Sequence, residues 1–421
     1  MSRKLEYVVS GTSYMRLSNP GIAKNSTNVE IANMLFDKLC NDFSHRISLL
    51  YNAHTEHSFG DRFQGYKDHV HEIHADSGGL QAVTLGLDIN DEFKEKIYRN
   101  QAKWANIGMC FDEIPVILTS DRSERNDTKG RFFDYENYEE LARKTGRNLK
   151  RQLEIFDEEE SSCKPFAILQ GNGVDTYLRW YECMMEEIPK EWHNRLGGIA
   201  MGAAALGTGP LEDVKRAFIA SEIAKHWPQD HMHLHVLGIG SIRRMIPYLV
   251  FVQNGLYDNV DISYDSTTHS RAVETGLYYM GEGTTKFSRQ FSNLYREMYE
   301  NANKTIKLGV DLDEFYQLLN TPSMKAKDKY GDLHKWFYVR TAFILMSVRN
   351  FMEHLETMME SKETLIKFTG KMKLDGQFRN LYNVKNIQDF DYWENNQYLG
   401  GAMKSMAVAK EQPASLEDLF G

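Results

Sequence analysis

The chain has 421 residues and a formal net charge of −9 at pH 7, with 42% hydrophobic and 26% charged residues. This composition excludes a chain that is disordered throughout, because enough apolar surface is present to build a core. The acidic balance excludes a uniformly basic nucleic-acid-binding protein but is compatible with a local basic face. At about 100–200 residues per domain, the length predicts two or three domains or one barrel with insertions.

The spacing of the cysteines and the length of the apolar stretches indicate the cellular compartment of the protein. The cysteines are widely spaced and form no close pair, which argues against a disulfide scaffold and favours a reducing environment. The N-terminus lacks the apolar core of a signal peptide. The longest apolar stretches, 248–252 and 342–346, are far too short to span a bilayer. We therefore expect a cytoplasmic protein. The four cysteines are Cys40, Cys110, Cys163 and Cys183.

A repeated pattern runs from about residue 70 to residue 266. Short apolar runs alternate with longer charged segments, of which 134–159 and 210–227 have apolar residues at helical spacing. This alternation predicts a parallel sheet, and six strands that end in functional-looking residues favour an α/β fold of the (β/α)8 TIM-barrel type. A doubly wound sheet is the alternative, although no GxGxxG motif opens a helix. The runs end at or near Asp76, Asp112, Gln170, Gly202, Gly238 and Asp265.

The rest of the chain is predicted to be helical. Segments 285–307 and 334–368 have the pattern of long helices, and the tail KEQPASLEDLFG is expected to be mobile. The predicted division is a catalytic barrel core over 1–285 and a helical part over 286–421 that completes the barrel and packs on it.

Three aspartates end predicted strands, at Asp76, Asp112 and Asp265. A buried acidic side chain costs free energy unless it is paired, hydrogen-bonded or required for function. Three such aspartates at one end of the predicted barrel therefore indicate a functional cluster. Carboxylates in proximity repel, so one pKa should rise while another stays low, which supplies an acid/base and an anionic nucleophile. Nearby glycines at 78, 79, 197 and 198 would let a flat ligand approach the backbone. Gln170 can bind a heterocycle edge.

Six segments of the chain, in order, resemble motifs of the tRNA-guanine transglycosylases that insert queuine or archaeosine precursors. The resemblance covers about half of the chain, and the family fold is a TIM barrel. The segments are ADSGGLQAVTLG (75–86), FDEIP (111–115), AILQGN (167–172), GGIAMG (197–202), VLGIGS (236–241) and SYDSTTHSR (263–271).

The resemblance implies base exchange at a glycosidic bond. Asp265 would attack C1′ of the nucleoside and form a covalent glycosyl-enzyme, while Asp76 would carry protons between the departing and incoming bases. Asp261 is the alternative nucleophile, because the family spacing slips by one residue here. Asp112 and Gln170 would bind the purine edge. The other positions implied to contact the base are Ser77, Leu80, Gly198, Ile199 and Gly238.

Three departures from the family pattern narrow the predicted cofactor and the predicted incoming base. The CxCxxC zinc motif with its histidine is absent, so no metal or other cofactor is expected. Leu80 replaces the aromatic residue that stacks on the base, although Leu80 and Leu237 could still enclose a purine. Ala203 replaces a glutamate that supports a cationic aminomethyl group. A neutral 7-deazaguanine such as preQ0 is therefore expected as the incoming base.

These departures resemble the DpdA branch of the family, which inserts 7-deazaguanines into DNA in bacteria and phages. The predicted partner is therefore DNA, with tRNA as the alternative, and the expected location is the cytoplasm of a bacterium or a phage-infected host. A base inside a duplex must be flipped out or presented single-stranded, so a partner protein that opens DNA is a further possibility. A basic loop at 119–135 is the candidate phosphate contact, or simply a solvated loop. Its cations are Arg122, Arg125, Lys129 and Arg131.

Two groups of histidines offer a competing interpretation. His69, His71 and His74 precede one predicted strand end, and three more alternate over 231–235. Imidazoles two residues apart on a strand share one face, so a metal-dependent TIM-barrel hydrolase is the second enzyme hypothesis. A non-catalytic nucleic-acid-binding subunit is the third hypothesis, against which the three aspartates argue.

Overall fold

Eight parallel strands close into a barrel in the computed structural model. It describes residues 5–40, 47–54, 60–79, 89–118, 131–202, 210–275, 277–280, 284–286, 292–330, 333–371 and 375–397. The barrel strands are β1 (Leu5–Val9), β2 (Ser48–Asn52), β3 (Ile73–Asp76), β4 (Ile107–Met109), β7 (Lys164–Leu169), β8 (Gly198–Met201), β9 (Met232–Val236) and β10 (Val260–Ser266). Two antiparallel hairpins lie outside it, β5 (Val116–Leu118) with β6 (Arg131–Phe133) and β11 (Leu277–Tyr279) with β12 (Thr284–Lys286).

The order of the strands around the barrel is β1-β10-β9-β8-β7-β4-β3-β2, and each neighbouring pair is parallel. The first and last barrel strands pair with each other, so this sheet has no free edge. The predicted (β/α)8 fold is therefore confirmed. All six predicted strands are present, whereas β1 and β2 were not predicted.

Helices connect and surround the strands. In chain order they are α1 (Pro20–Ala23), α2 (Ser26–Cys40), α3 (Gly60–Phe63), α4 (Asp91–Trp104), α5 (Tyr138–Glu158), α6 (Val174–Glu186), α7 (Pro210–Ala224), α8 (Ile242–Gln253), α9 (Ala272–Thr275), α10 (Ser292–Thr305), α11 (Leu312–Asn320), α12 (Ser323–Tyr330), α13 (His334–Met359), α14 (Lys362–Lys371), α15 (Asp375–Leu381) and α16 (Ile387–Gln397). None of the helices in these ranges is long and apolar enough to cross a membrane.

Two predicted helices differ from the structure. The segment predicted as one helix over 285–307 begins with strand β12, and α10 starts only at Ser292. The helix predicted over 334–368 is interrupted at 360–361, where Ser361 Oγ accepts from the Thr364 backbone N–H at 3.1 Å and caps α14. Serine competes for backbone partners in this way at helix starts, and a periodicity pattern does not register it. The predicted mobile tail lies outside the described residues.

Helix α13 covers the seam where the barrel closes. Phe351 of α13 lies against Tyr7 of β1 and Tyr264 of β10, with ring centroids 5.9 and 6.1 Å apart. The same helix contributes Asn350, whose side chain donates to the Tyr279 carbonyl at 2.8 Å. The C-terminal helices thus supply part of the apolar layer outside β1 and β10.

The interior of the barrel is unusually polar. A TIM barrel is normally filled by bulky apolar side chains. Here Glu6 of β1, His74 of β3, His233 and His235 of β9 and Ser263 of β10 contact one another inside the barrel, and four of them are fully or almost fully buried. These groups require mutual hydrogen bonds, because a buried polar group without a partner is costly.

Candidate active site

The three predicted aspartates lie at the same end of the barrel. Asp76 is the last residue of β3, Asp265 is the second-last of β10, and Asp112 follows the end of β4 at Met109. Because the strands are parallel, their C-terminal ends form one rim. The three carboxylates also act on each other: Asp265 raises the pKa of Asp76, and Asp76 raises that of Asp112. The predicted cluster is therefore present.

Asp265 is held from inside the barrel. Its Oδ1 accepts a hydrogen bond from the Gly238 backbone N–H at 2.9 Å, and His235 Nε2 lies 3.5 Å from the same oxygen. Burial acts to raise the pKa of Asp265, but His235, the Gly238 N–H and the nearby Ser10 outweigh it and lower that pKa. The carboxylate is therefore ionised, and Oδ1 is the oxygen that faces Gly238 and His235.

The turn that supports Asp265 is itself anchored. Gly238 has a φ of +72°, a conformation that favours glycine. Its carbonyl accepts from the Arg244 guanidinium, and Arg244 Nε also donates to Asp213 Oδ2 at 2.8 Å. Asp213 is fully buried and also accepts from Arg216 at 2.6 Å. Arg216 and Arg244 thus hold the Asp213 carboxylate in place, and Arg244 connects it to the Gly238 carbonyl in the turn.

Asp76 has the opposite electrostatic character to Asp265. Asp76 is partly exposed to solvent, but protein surrounds most of its carboxyl group, and this burial raises its pKa. The charge of Asp265 adds to this effect, while backbone N–H groups of Gly78 and Ser77 oppose it, and the resulting pKa is about 6. Gly78 has a φ of +82°. Asp76 can therefore hold or release a proton near neutral pH, as a general acid or base must.

Asp112 and Gln170 form a buried, hydrogen-bonded pair. Gln170 Nε2 donates to Asp112 Oδ2 at 2.7 Å, and both side chains are buried. Burial raises the pKa of Asp112 to about 7, with the charge of Asp76 adding to it and the hydrogen bond from Gln170 opposing it. Two glycines allow this packing: a Cβ on Gly79 would lie 2.4 Å from Asp112 Oδ1, and one on Gly202 would lie 2.3 Å from Gln170 Nε2.

Ser77 Oγ and Gln170 Oε1, two buried polar atoms near the aspartates, have no hydrogen-bond partner within the described part of the chain. Each belongs to a residue at or just after the C-terminal end of a barrel strand. Unsatisfied buried groups are rare in native proteins and need an explanation. A polar ligand that both donates and accepts hydrogen bonds would satisfy both atoms.

Sequence reasoning missed several residues of this rim. Ser10 follows β1, and Asn52 ends β2, where its side chain accepts from the His54 backbone N–H at 2.9 Å. These residues lie at the ends of the two strands that were not predicted, so no strand-end pattern marked them. His235 was noted only as one histidine of an alternating group. The alternation predicted only that these histidines share one face of a strand.

Two predicted base-contacting residues lie elsewhere. Gly198 and Ile199 begin β8, and Gly202 rather than Gly198 reaches the rim beside Gln170. A Cβ on Gly198 would lie 2.1 Å from the His233 carbonyl oxygen. The glycine is therefore required by packing between β8 and β9, and the structure does not bring it to the aspartates.

Several other predicted positions lie outside the described residues. These are Leu80 and three of the loop cations, Arg122, Arg125 and Lys129. Arg131 begins β6, whose hairpin with β5 emerges directly after the segment that contains Asp112. Tyr135, which follows the hairpin, is 64% exposed. The hairpin therefore stands at the same end of the barrel as the aspartates.

The alternative nucleophile and the predicted histidine cluster do not assemble at the rim. Asp261 is the second residue of β10, four positions before Asp265, which at about 3.3 Å per residue puts it toward the other end of the barrel. His69 pairs on the surface with Asp37 at 2.8 Å, and His71 pairs with Glu6 at 2.9 Å. No group of metal-ligating side chains is found beside the rim aspartates in the described ranges.

Comparisons with known proteins assign no family. No family model matches the chain, and no curated protein matches it. Among solved structures, the chain is similar to the carboxyl transferase domain of Rhizobium etli pyruvate carboxylase with 3-bromopyruvate, at 12% identity and a TM-score of 0.39 over 90% of this chain. The chain spans 55% of the length of that structure. The barrel fold is therefore established here by the strand order and register.

Proposed function

We propose that this protein is a base-exchange glycosyltransferase that replaces guanine in DNA with a 7-deazaguanine, preQ0 or a similar neutral base, and that it resembles the tRNA-guanine transglycosylases in mechanism. One observation carries the proposal: Asp265 and Asp76 share one rim, and the pKa of Asp265 is lowered while that of Asp76 is raised to about 6. Opposite pKa shifts leave one of two neighbouring carboxylates ionised, as a nucleophile must be. They let the other gain and lose a proton, as an acid/base must.

The proposed first step forms a covalent intermediate. A carboxylate oxygen of Asp265 attacks C1′ of the target nucleotide, and the bond between C1′ and the guanine nitrogen breaks. The bonding electrons leave with guanine, and protonated Asp76 supplies the proton that lets it depart as a neutral base. Asp265 Oδ2 is the reacting oxygen, because Oδ1 receives the hydrogen bond from Gly238.

The second step reverses these roles. Asp76, now ionised, takes the proton from the ring nitrogen of the incoming 7-deazaguanine. That nitrogen attacks C1′ and releases the Asp265 carboxylate. The chain ends the cycle with its original protons, and no oxidant or other co-reactant is needed.

Recognition of the base is proposed for the Asp112–Gln170 pair. Gln170 Oε1 is a buried acceptor without a partner, and Asp112 offers a second acceptor next to it. The amide and amino N–H groups on one edge of guanine or a 7-deazaguanine are donors that match two adjacent acceptors. Ser77 Oγ can donate to an acceptor on the same ligand.

DNA is proposed as the nucleic acid, with tRNA as the second candidate. The β5–β6 hairpin follows the segment that contains Asp112, and Ile117 of β5 and Tyr135 just after β6 are exposed. An exposed aromatic side chain such as that of Tyr135 suits stacking with a base that has left the helix. The basic residues in the sequence of segment 119–130 suit contact with phosphate. Opening of the duplex by a partner protein belongs to the same proposal.

The test is release of labelled guanine. Guanine-labelled DNA, as duplex and as single strand, and guanine-labelled tRNA are each incubated with the protein and preQ0. The proposal expects release from DNA that depends on preQ0 and is lost in the Asp265→Asn variant. Release from tRNA alone would replace DNA by tRNA as substrate. Release from no substrate, including single-stranded DNA that needs no opening, would remove the base-exchange proposal.

A further inference from the structure

A second polar cluster lies at the end of the barrel opposite the aspartates. Glu6 is the second residue of β1, and His71 and Glu72 immediately precede β3. In a parallel barrel these positions belong to the N-terminal end of the strands, where residues serve stability rather than catalysis. One ligand atom from each of the three side chains lies within 4.8 Å of the other two.

The contacts in this cluster bring mixed donors together. Glu6 Oε1 lies 2.9 Å from His71 Nδ1 and also accepts from the Ser48 hydroxyl. Glu6 is 5% exposed, while the side chains of His71 and Glu72 are 37% and 22% exposed. An ion from solvent can therefore reach the cluster, and a buried carboxylate is already present to hold it.

A further buried histidine points at the same place. His74 is fully buried, and neither ring nitrogen has a hydrogen-bond partner in the described part of the chain. Its Nε2 lies 3.4 Å from Glu72 Oε2, so the two groups form an ion-pair contact that is too long for a good hydrogen bond. Buried polar groups held by so long a contact are expected where an ion or ligand completes the site.

We propose that Glu6, His71 and Glu72 bind one divalent transition-metal ion of the zinc class. Carboxylate oxygen and imidazole nitrogen together favour Zn²⁺ and its neighbours, whereas Mg²⁺ and Ca²⁺ prefer oxygen donors alone. The ion would join the start of β1 to the segment before β3 and so hold the barrel closed at this end. It takes no part in base exchange.

This proposal revises the expectation from the sequence that the chain binds no metal. The ligands differ from the cysteines of the family's zinc motif in residue type and in place. The site is also unlike the predicted hydrolase centre, since it lies away from the rim and only His71 of the two histidine groups is a ligand. The role of the ion is therefore structural, and its test does not depend on catalysis.

The experiment measures metal binding to the full chain after chelator treatment. Isothermal titration with Zn²⁺ should give one ion per chain, and the melting temperature should rise by several degrees on saturation. His71→Asn and Glu72→Gln should each lower the affinity at least about 100-fold and remove the thermal shift. The matched control is His69→Asn, two residues away, which removes a surface histidine–carboxylate pair and should bind Zn²⁺ as the wild type does.

Three results would overturn the proposal. The first is a stripped wild-type protein that binds no Zn²⁺, Mn²⁺ or Fe²⁺. The second is equal affinity in the wild type, His71→Asn and Glu72→Gln, each shown to be folded by its circular dichroism spectrum. The third is loss of binding in Asp76→Asn, which would assign the ion to the opposite end of the barrel. Guanine release assayed alongside reports separately on the proposed function.

Discussion

His235 Nε2 lies 3.5 Å from Oδ1 of Asp265, while its Nδ1 faces Ser263 Oγ at 2.8 Å. Ser263 Oγ also lies 2.7 Å from His233 Nε2. Burial lowers the pKa of both histidines, so both are neutral at pH 7. With each Nε2 protonated, every group donates toward Asp265: His233 to Ser263, Ser263 to His235, and His235 to the carboxylate. This chain of donors orients Oδ1 of Asp265.

Replacing the proposed nucleophile should abolish the proposed covalent step. Asp265→Asn removes the charge but keeps the shape, so we expect guanine release to fall more than about 1,000-fold. The protein–DNA adduct, visible on a denaturing gel, should disappear. The control is Asp261→Asn, the same change on the same strand and the same face, which should retain activity. Loss of the adduct in Asp261→Asn, with retention in Asp265→Asn, would reverse the assignment.

His235 is predicted to be a positioning residue that acts through Asp265. His235→Leu should lower kcat by about 100-fold, because a small displacement of a reacting group has effects of that size, and should leave KM nearly unchanged. It should also shift the acid limb of the pH profile upward, since the pKa of Asp265 loses a lowering contact. His235→Gln, whose amide can replace the Nε2–H donor, should recover part of both effects. Identical profiles for both variants would indicate a purely structural role.

The release step should depend on protonation of Asp76. The pKa of Asp76 is raised to about 6, so the protonated acid needed for guanine departure is lost as the pH rises through that value. Single-turnover guanine release should therefore decline about tenfold per pH unit above about pH 6. Asp76→Asn should be slow and lack this decline. A wild-type rate that rises between about pH 6 and pH 8 would contradict the assignment of Asp76 as the acid.

Asp112 should make the fold less stable as the pH rises. Its pKa is about 7 in the folded protein against 3.8 ordinarily, so its protonated form stabilises the fold at low pH and this contribution is lost as the pH rises through about 7. The difference corresponds to on the order of 4 kcal/mol. Asp112→Asn should be more stable than the wild type in urea at about pH 8 but not at about pH 4. Parallel stability curves for the two proteins would contradict this.

Gly79 should control access of the base to Asp112. A Cβ at this position would lie 2.4 Å from Asp112 Oδ1 and 3.1 Å from the Asp112 carbonyl. Gly79→Ala should therefore weaken preQ0 binding about 10- to 100-fold in a calorimetric titration, because the crowded carboxylate must move. Gly173→Ala is the matched control, since a Cβ there would meet no atom within 4 Å. Equal weakening in both variants would argue against a local effect.

The sequence predicted the rim more successfully than the rest of the fold. Asp76 and Asp265 each terminate a short apolar run, and parallel strands bring such ends together whatever the surrounding residues are. Strands β1 and β2 escaped prediction because LEYVV and SLLYN lie before about residue 70, where the repeated pattern of apolar runs begins. The break between α13 and α14 escaped because Ser361 acts through a local side-chain hydrogen bond.

The sequence by itself therefore determined the barrel class and the identity of the three acids, since both follow from short-range pattern and strand direction. Only the tertiary structure decided which acid is ionised and what each histidine does. Asp265 is ordered by His235 and Gly238, whereas His71 faces Glu6, 65 positions away in the chain. Burial and charge act through space, so the pKa of a carboxyl depends on neighbours that its own segment does not contain.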